Sequence, residues 1–313
     1  MFELNPYLLF LMGAILLYYS SELLVSNSIL ISEKFNIPRI LIGGTIIALG
    51  TSLPEIVVSI LANLKGSSNI AIGNIIGSNI ANIGLVFGIC ILFKKIRVDK
   101  NDNEINYNLI WLLLFTIIFF FIIKSSSIYN IQGLVLIILY IFSFLLMIKY
   151  FLINYEGSSG NHNSNSLIIF IKLMFGSILI YFGSNFFIDG AIGISNLLGI
   201  YDLSIGMTIV AFGTSAPELI ASLNALKKNE NMLVIGNIIG SNIANIIFAA
   251  GISSLISTIY FSYEELFIYN YLMLFITIIF VLIIFLLKKI HKAYGLLFIS
   301  VYFIFIYLNF YIN

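Results

Sequence analysis

Charge is the scarcest thing in this sequence. Asp, Glu, Lys and Arg make up only 9% of its 313 residues, against about 25% in an ordinary soluble domain. Fifteen Lys and Arg oppose fourteen Asp and Glu, a net of +1, so no basic field is present to hold nucleic acid and no acidic tail either. A single cysteine, Cys90, excludes an internal disulfide framework and a cysteine-based metal cluster. The two histidines, His162 and His291, fall in polar connectors, which argues against an imidazole metal site. Proline occurs four times, at Pro6, Pro38, Pro54 and Pro217. What fills the space is apolar: 60% of the residues are hydrophobic and 15% aromatic. So much apolar surface cannot be hidden in water-soluble cores, and the solvent for most of the chain is therefore lipid. Soluble enzyme, nucleic-acid binder and secreted scaffold are excluded together.

A bilayer crossing needs roughly 20 apolar residues. Ten such stretches lie between polar breaks, at about 6–30, 39–64, 69–93, 106–124, 130–153, 166–196, 204–226, 232–257, 265–287 and 293–312. The predicted fold is an all-α integral membrane protein of the cell membrane. The first stretch lacks a basic leader and a small-residue cleavage site, so it reads as a span and not as a removable signal. Cations fall unevenly. Connectors one, three, five, seven and nine hold Lys34, Arg39, Lys94, Lys95, Arg97, Lys100, Lys149, Lys172, Lys227, Lys228, Lys288, Lys289 and Lys292, whereas the others hold only Lys65 and Lys124. By the positive-inside rule both termini are expected outside and the polar 155–165 linker in the cytoplasm.

That linker divides the chain into residues 1–154 and 166–313, five spans each. Gly43–Gly88 aligns with Gly206–Gly251 at a constant offset of 163, with about half of the positions identical. GTSLPE (Gly50–Glu55) answers GTSAPE (Gly213–Glu218), and IGNIIGSNIANI recurs unchanged at Ile72–Ile83 and Ile235–Ile246. An odd number of spans per half turns the second copy over. The expected architecture is thus ten transmembrane helices as two inverted five-helix repeats, which is a transporter design with its substrate site near the midplane.

Glu55 and Glu218 lie in the middle of apolar spans, where a carboxylate costs at least ~2.5 kcal/mol on insertion scales. A lone acid there can merely knit helices; two copies, each in the same polar setting, point to function. Pro54 and Pro217 remove backbone donors, and Gly50 and Gly213 stand four residues earlier, where the ring would otherwise crowd the chain. An unwound turn is expected at Gly50–Pro54 and Gly213–Pro217, freeing the carbonyls of Ala48, Thr51, Ala211 and Thr214; such backbone is tolerated only beside a cavity or within protein. In the second block, Gly73, Gly77, Gly236 and Gly240 read as close helix packing. Ser78 with Asn82, and Ser241 with Asn245, are spaced i, i+4 and share a face. Asn74, Asn79, Asn237 and Asn242 point elsewhere and read as interhelical hydrogen-bonders. The set contains two carboxylates and many neutral oxygens, without sulfur or imidazole. All-oxygen ligation suits a hard cation such as Ca²⁺, and Na⁺ uses the same atoms.

These duplicated motifs closely resemble the Ca²⁺/cation antiporter superfamily, nearest to its prokaryotic sodium/calcium exchangers, and the likeness extends over the whole chain, including SELLVSNSILIS (Ser21–Ser32). The resemblance implies that the second, third, seventh and eighth helices form the ion sites, while long first and sixth helices slide to alternate access. It also implies a central Ca²⁺ site of Glu55 and Glu218 with the carbonyls of Thr51 and Thr214. Flanking Na⁺ sites would use Ala48, Ser52 and Ser78 on one side and Ala211, Ser215 and Ser241 on the other. Asn82 matches the family's midplane asparagine, whereas Asn245 stands where many members carry aspartate. The implied activity is Na⁺/Ca²⁺ antiport, with H⁺/Ca²⁺ exchange as the alternative within the superfamily and a cation channel outside it. An acid–base enzyme finds no support, because no Asp flanks either motif and no cofactor signature occurs. Nor is an obligatory protein partner evident.

Overall fold

The structure, a computed structural model, describes residues 5–98, 103–154, 165–197, 213–287 and 289–312. Helix α1 (Pro6–Phe35) begins where Pro6 presets the backbone and the Asn5 side chain accepts the Tyr7 N–H at 2.9 Å. It ends at Asn36, whose φ of 50° is left-handed, with the Ile37 N–H returning to the Ser32 carbonyl. Pro38 then opens a rod made of α2 (Arg39–Ile42), a π-helical turn (Gly43–Ile47) and α3 (Ala48–Thr51). After a 48° bend it continues as α4 (Leu53–Leu64). Next, α5 (Ser68–Ala81) passes through a second π-helical turn (Asn82–Phe87) into α6 (Gly88–Phe93).

The chain proceeds through β1 (Ile96–Arg97), α7 (Asn103–Ile123), β2 (Ser127–Ile128), α8 (Asn130–Asn154) and α9 (Ser166–Leu197). Then come α10 (Ala216–Lys227), α11 (Asn231–Ala244), a third π-helical turn (Asn245–Ile252), α12 (Ser253–Ile256) and β3 (Ile259–Tyr260). Helix α13 (Tyr263–Leu286), β4 (Lys289–Ile290) and α14 (Lys292–Ile312) complete it. Eight of these helical rods are long and apolar enough to cross a bilayer, and the bent α2–α4 rod makes nine. The remaining expected span, 204–226, enters the described residues only from Gly213.

Burial sorts the rods into layers. The two that carry the repeated block, Ser68–Phe93 and Asn231–Ile256, are 89% buried along their apolar windows, against 17% for Asn130–Tyr150. The former are core; the latter faces lipid, as do exposed apolar side chains such as Ile131, Leu167 and Phe303. Around that core, α1 lies along α9, where Gly13 meets the Phe187 backbone and Gly190 meets that of Phe10. Within it, Gly236 and Gly240 press on the backbone of Ile40–Gly44, as expected for close packing, whereas Gly77 meets only the edge of the Phe305 ring. A methyl group on Gly240 would run into the Gly44 carbonyl. Residues 203–207, which correspond to Ile40–Gly44 at the same offset, lie outside the described residues.

Extended pairing among the described residues is confined to two short bridges. β1 pairs with β4, matching Ile96 to Ile290 and Arg97 to Lys289; β2 pairs with β3, matching Ser127 to Tyr260 and Ile128 to Ile259. The first joins connectors three and nine, the second connectors four and eight. Polar contacts follow the same rule. Arg39 in connector one reaches Glu230 in connector seven at 3.1 Å, and Asn69, after connector two, reaches Glu265, after connector eight, at 3.1 Å.

Candidate functional site

Both GTS-x-PE motifs fold alike. Ser52 has φ −84° and ψ 5°, and Ser215 has φ −84° and ψ 0°; each is a single non-helical residue just ahead of a new helix. The predicted unwinding of whole turns is therefore a correction. In the first motif the Ser52 N–H still reaches the Ala48 carbonyl at 2.9 Å, and the Ile56 N–H reaches the Ser52 carbonyl at 3.1 Å. Proline disturbs only its own missing donor, so neighbouring hydrogen bonds re-form and the helix bends instead of opening. The Ala48 carbonyl is accordingly not free: it accepts that N–H and, at 3.2 Å, the Thr51 hydroxyl. Ala211 lies outside the described residues.

The bend has an electrostatic consequence. It starts new helices at Leu53 and Ala216, which places Glu55 and Glu218 in their first turns. A helix N-terminus is worth roughly half a positive charge and favours a carboxylate there. Each acid is wholly buried. Ser52, three residues before Glu55, bonds to Glu218, so the two motifs meet. Among the described residues Arg39 pairs with Glu33 and with Glu230, and no cationic side chain forms a salt bridge with either acid.

Around them the structure gathers most of the predicted oxygens. Ser52 donates to Glu218 Oε1 at 2.8 Å, across the two repeats, and Ser241 of α11 donates to the same atom at 3.4 Å. Thr51, Thr214, Ser78, Ser215, Asn82 and Asn245 are all fully or almost fully buried. Asn82 and Asn245 each open a π-helical turn, a feature that recurs at functional sites. Several buried atoms have no hydrogen-bond partner among the described residues: both carboxylate oxygens of Glu55, Glu218 Oε2, the hydroxyls of Ser78 and Ser215, Asn82 Oδ1 and both amide atoms of Asn245. A buried polar atom without a partner costs about 1–3 kcal/mol, more if charged. Orphans so numerous, mostly oxygens and gathered on two motifs, describe a set of donors suited to a hard cation.

The remaining asparagines brace the site, as their faces suggested. Asn74 donates to the Glu55 carbonyl at 3.2 Å and to Ser59 at 3.0 Å; Asn237 donates to the Glu218 carbonyl at 3.5 Å and to Ser222 at 3.1 Å. Asn82 donates to Asn242 at 3.2 Å, tying the core helices together. Asn79 instead bonds within its own helix, to the Ile75 carbonyl. Ser59 and Ser222 were missed from the sequence, although they are identical at the 163-residue offset and that identity was a usable signal.

A family model for the sodium/calcium exchanger protein matches residues 5–149 and 168–311. The chain belongs to the sodium/calcium exchanger family. An uncharacterised membrane protein of Methanocaldococcus jannaschii is 43% identical over 79% of this chain and 80% of its own length. The sodium/calcium exchanger MaX1 of Methanosarcina acetivorans is 29% identical over 98% of this chain and 99% of its own. Among solved structures, the sodium-calcium exchanger NCX_Mj soaked with Na⁺ and Sr²⁺ superposes with a TM-score of 0.84 at 37% identity, covering 97% of this chain and 98% of that one. This exchanger is thus a membrane protein of helical fold, alike along essentially its entire length to the solved NCX_Mj.

Proposed function

We propose that this protein exchanges Na⁺ for Ca²⁺ across the cell membrane by alternating access, with Glu55 and Glu218 as the shared ligands. The observation that carries the reading is the pair of unneutralised, fully buried carboxylates, one from each repeat, set among oxygens without partners. One Ca²⁺ balances two ionised acids. Na⁺ competes for the same acids, and an unloaded site of charge about −2 resists passage through the low-dielectric barrier. Thr51 and Thr214 contribute carbonyls beside the Ca²⁺; Ser52 and Ser78, and Ala211, Ser215 and Ser241, hold flanking Na⁺; Asn82 and Asn245 complete the midplane.

Three Na⁺ on two carboxylates give a complex of +1, and one Ca²⁺ gives a neutral one. A 3:1 exchange moves one charge per cycle, worth about 2.3 kcal/mol per 100 mV, and favours Ca²⁺ export from an inside-negative cell. The scaffold proposed for this is ten spans in two inverted repeats, residues 1–154 and 166–313 about the 155–165 linker, with both termini outside. Parity supports it. Each bridge and polar tie noted above links two odd-numbered or two even-numbered connectors, as a ten-span path requires. The long pair α1 and α9 is the element that slides.

The experiment is ⁴⁵Ca²⁺ uptake into proteoliposomes with Na⁺ and pH gradients imposed separately. Uptake driven by Na⁺ alone is expected, and Glu55→Gln and Glu218→Gln should each abolish it. Normal uptake by either variant removes the proposed site, and uptake driven only by the pH gradient replaces Na⁺ by H⁺ as the counter-ion.

A further inference from the structure

In the bridge between β1 and β4, Arg97 is the direct cross-strand partner of Lys289. Like charges placed opposite each other destabilise a strand pair. The bridge forms because Ile96 and Ile290, paired beside them, are fully buried. Lys94, Lys95 and Lys292 line the same cup, a cavity of about 530 Å³. One third of the chain's Lys and Arg residues therefore converge on one hollow, and none of the described residues that line it is acidic. Lys94 is fixed at its edge, where Nζ donates to the Leu226 carbonyl at 3.3 Å and to Asn229 Oδ1.

A second hollow of about 570 Å³ adjoins the first and shares Phe93 and Lys94 with it. This one is an apolar groove between α1 and α10, walled by Ala14, Tyr18, Ile220 and Leu223. Phe93 is 72% exposed where the two meet. Lys227 lies over the Tyr18 ring, 4.9 Å from its centroid, and adds another cation at the groove.

We propose that the two hollows together bind one anionic phospholipid, its phosphate in the cationic cup and an acyl chain in the groove. Charge complementarity selects the sign of the ligand, and the phosphate relieves the repulsion between Arg97 and Lys289. The arginine fork matches phosphate oxygens two at a time. A soluble phosphate would satisfy the cup but leave the groove unused, which is why the occupant is a lipid. Juxtamembrane cation clusters commonly recognise anionic headgroups in this manner. Neither hollow is lined by Glu55 or Glu218, so lipid retention is measured separately from ion binding.

The test uses the full chain purified in detergent, native mass spectrometry and thermal melting, with phosphatidylglycerol and phosphatidylcholine of identical acyl chains. Phosphatidylglycerol should be retained preferentially. R97Q/K289Q/K292Q should weaken that retention roughly a hundredfold, about fivefold per cation, while K34Q/K149Q/K172Q, with equal loss of charge, should keep it. Without lipid, R97Q alone should melt no lower than the native chain, since a repulsion is removed; with phosphatidylglycerol it should melt lower. Equal retention by both triple variants overturns the proposal, as does the absence of any preference in the native chain. Stabilisation by glycerol phosphate equal to that by phosphatidylglycerol overturns the assignment to a lipid.

Discussion

The Ser52 hydroxyl, from the first repeat, is bonded to the Glu218 carboxylate of the second across 2.8 Å. Its counterpart at the 163-residue offset, Ser215, has a buried hydroxyl without a partner among the described residues, and both Glu55 oxygens lack one too. The two halves of the site are therefore built alike but engaged differently: one acid is held, the other is open.

From this difference follows the first expectation. Ser52→Ala removes a hydrogen bond to a charged group, worth about 1.5–3 kcal/mol, and should lower the melting temperature of the cation-free protein by several degrees. Ser215→Ala removes no bond present in that state and should leave the melting temperature nearly unchanged. Both should weaken Na⁺ binding measured by calorimetry if each serine is a ligand. Equal melting temperatures for the two variants would contradict the asymmetry.

A second expectation concerns the braces. Asn74 and Asn237 make matching pairs of bonds, each to a glutamate carbonyl and to a serine one turn further along. These bonds tie each asparagine's helix to the bent helix that carries the glutamate. Asn74→Ala or Asn237→Ala should cost about 1–3 kcal/mol of stability through the donors and acceptors left unpaired. Ca²⁺ binding should fall as the glutamate backbone loosens, with Ser59→Ala and Ser222→Ala showing the same effect at smaller size. Asparagine variants with native Ca²⁺ affinity and native melting would show that the braces hold nothing.

Much of this was legible in the sequence, and the reasons are particular. Span positions follow from the bilayer's thickness, which any run of apolar residues must match. Glu55, Glu218 and their companions stand out because intramembrane acids are costly and occur here twice at one offset. Bend depth was not legible: Pro54 announces a lost donor, but whether Ser52 or a whole turn leaves the helix depends on bonds that re-form locally. Long-range pairings such as Arg97 with Lys289, or Asn63 with the Ser257 carbonyl, depend on docking between distant connectors, and no local pattern encodes them.

Departures from the repeat are the third source of expectation. Asn224 donates to Ser21 at 2.8 Å and to the Tyr18 carbonyl at 3.4 Å, pinning α10 to α1. Its counterpart in the first repeat is Leu61, and the counterpart of Ser21 is Ser184, whose buried hydroxyl has no partner among the described residues. The pin is one-sided. If α1 slides during transport, Asn224→Leu should release α10 in preference to the rest of the chain. Hydrogen exchange over Ala216–Lys227 should accelerate about tenfold, the size expected for loss of one good hydrogen bond. Unchanged exchange there would mean that apolar packing alone holds the two helices.

The last expectation tests where the charge of the site ends. Asn245 is fully buried, opens a π-helical turn, and has no partner for either amide atom among the described residues. As an amide it leaves the site with two carboxylates. Asn245→Asp adds a third acid of nearly the same shape. When protonated, that aspartic acid is neutral like the amide, so exchange at low pH should match the native rate. As pH rises it ionises, the Ca²⁺-loaded form changes from neutral to about −1, and crossing the low-dielectric barrier becomes harder. The ratio of variant to native ⁴⁵Ca²⁺ uptake should therefore fall with increasing pH, measured under one fixed Na⁺ gradient. A ratio that stays flat from acid to alkaline conditions would place Asn245 outside the electrostatic reach of the transported ion.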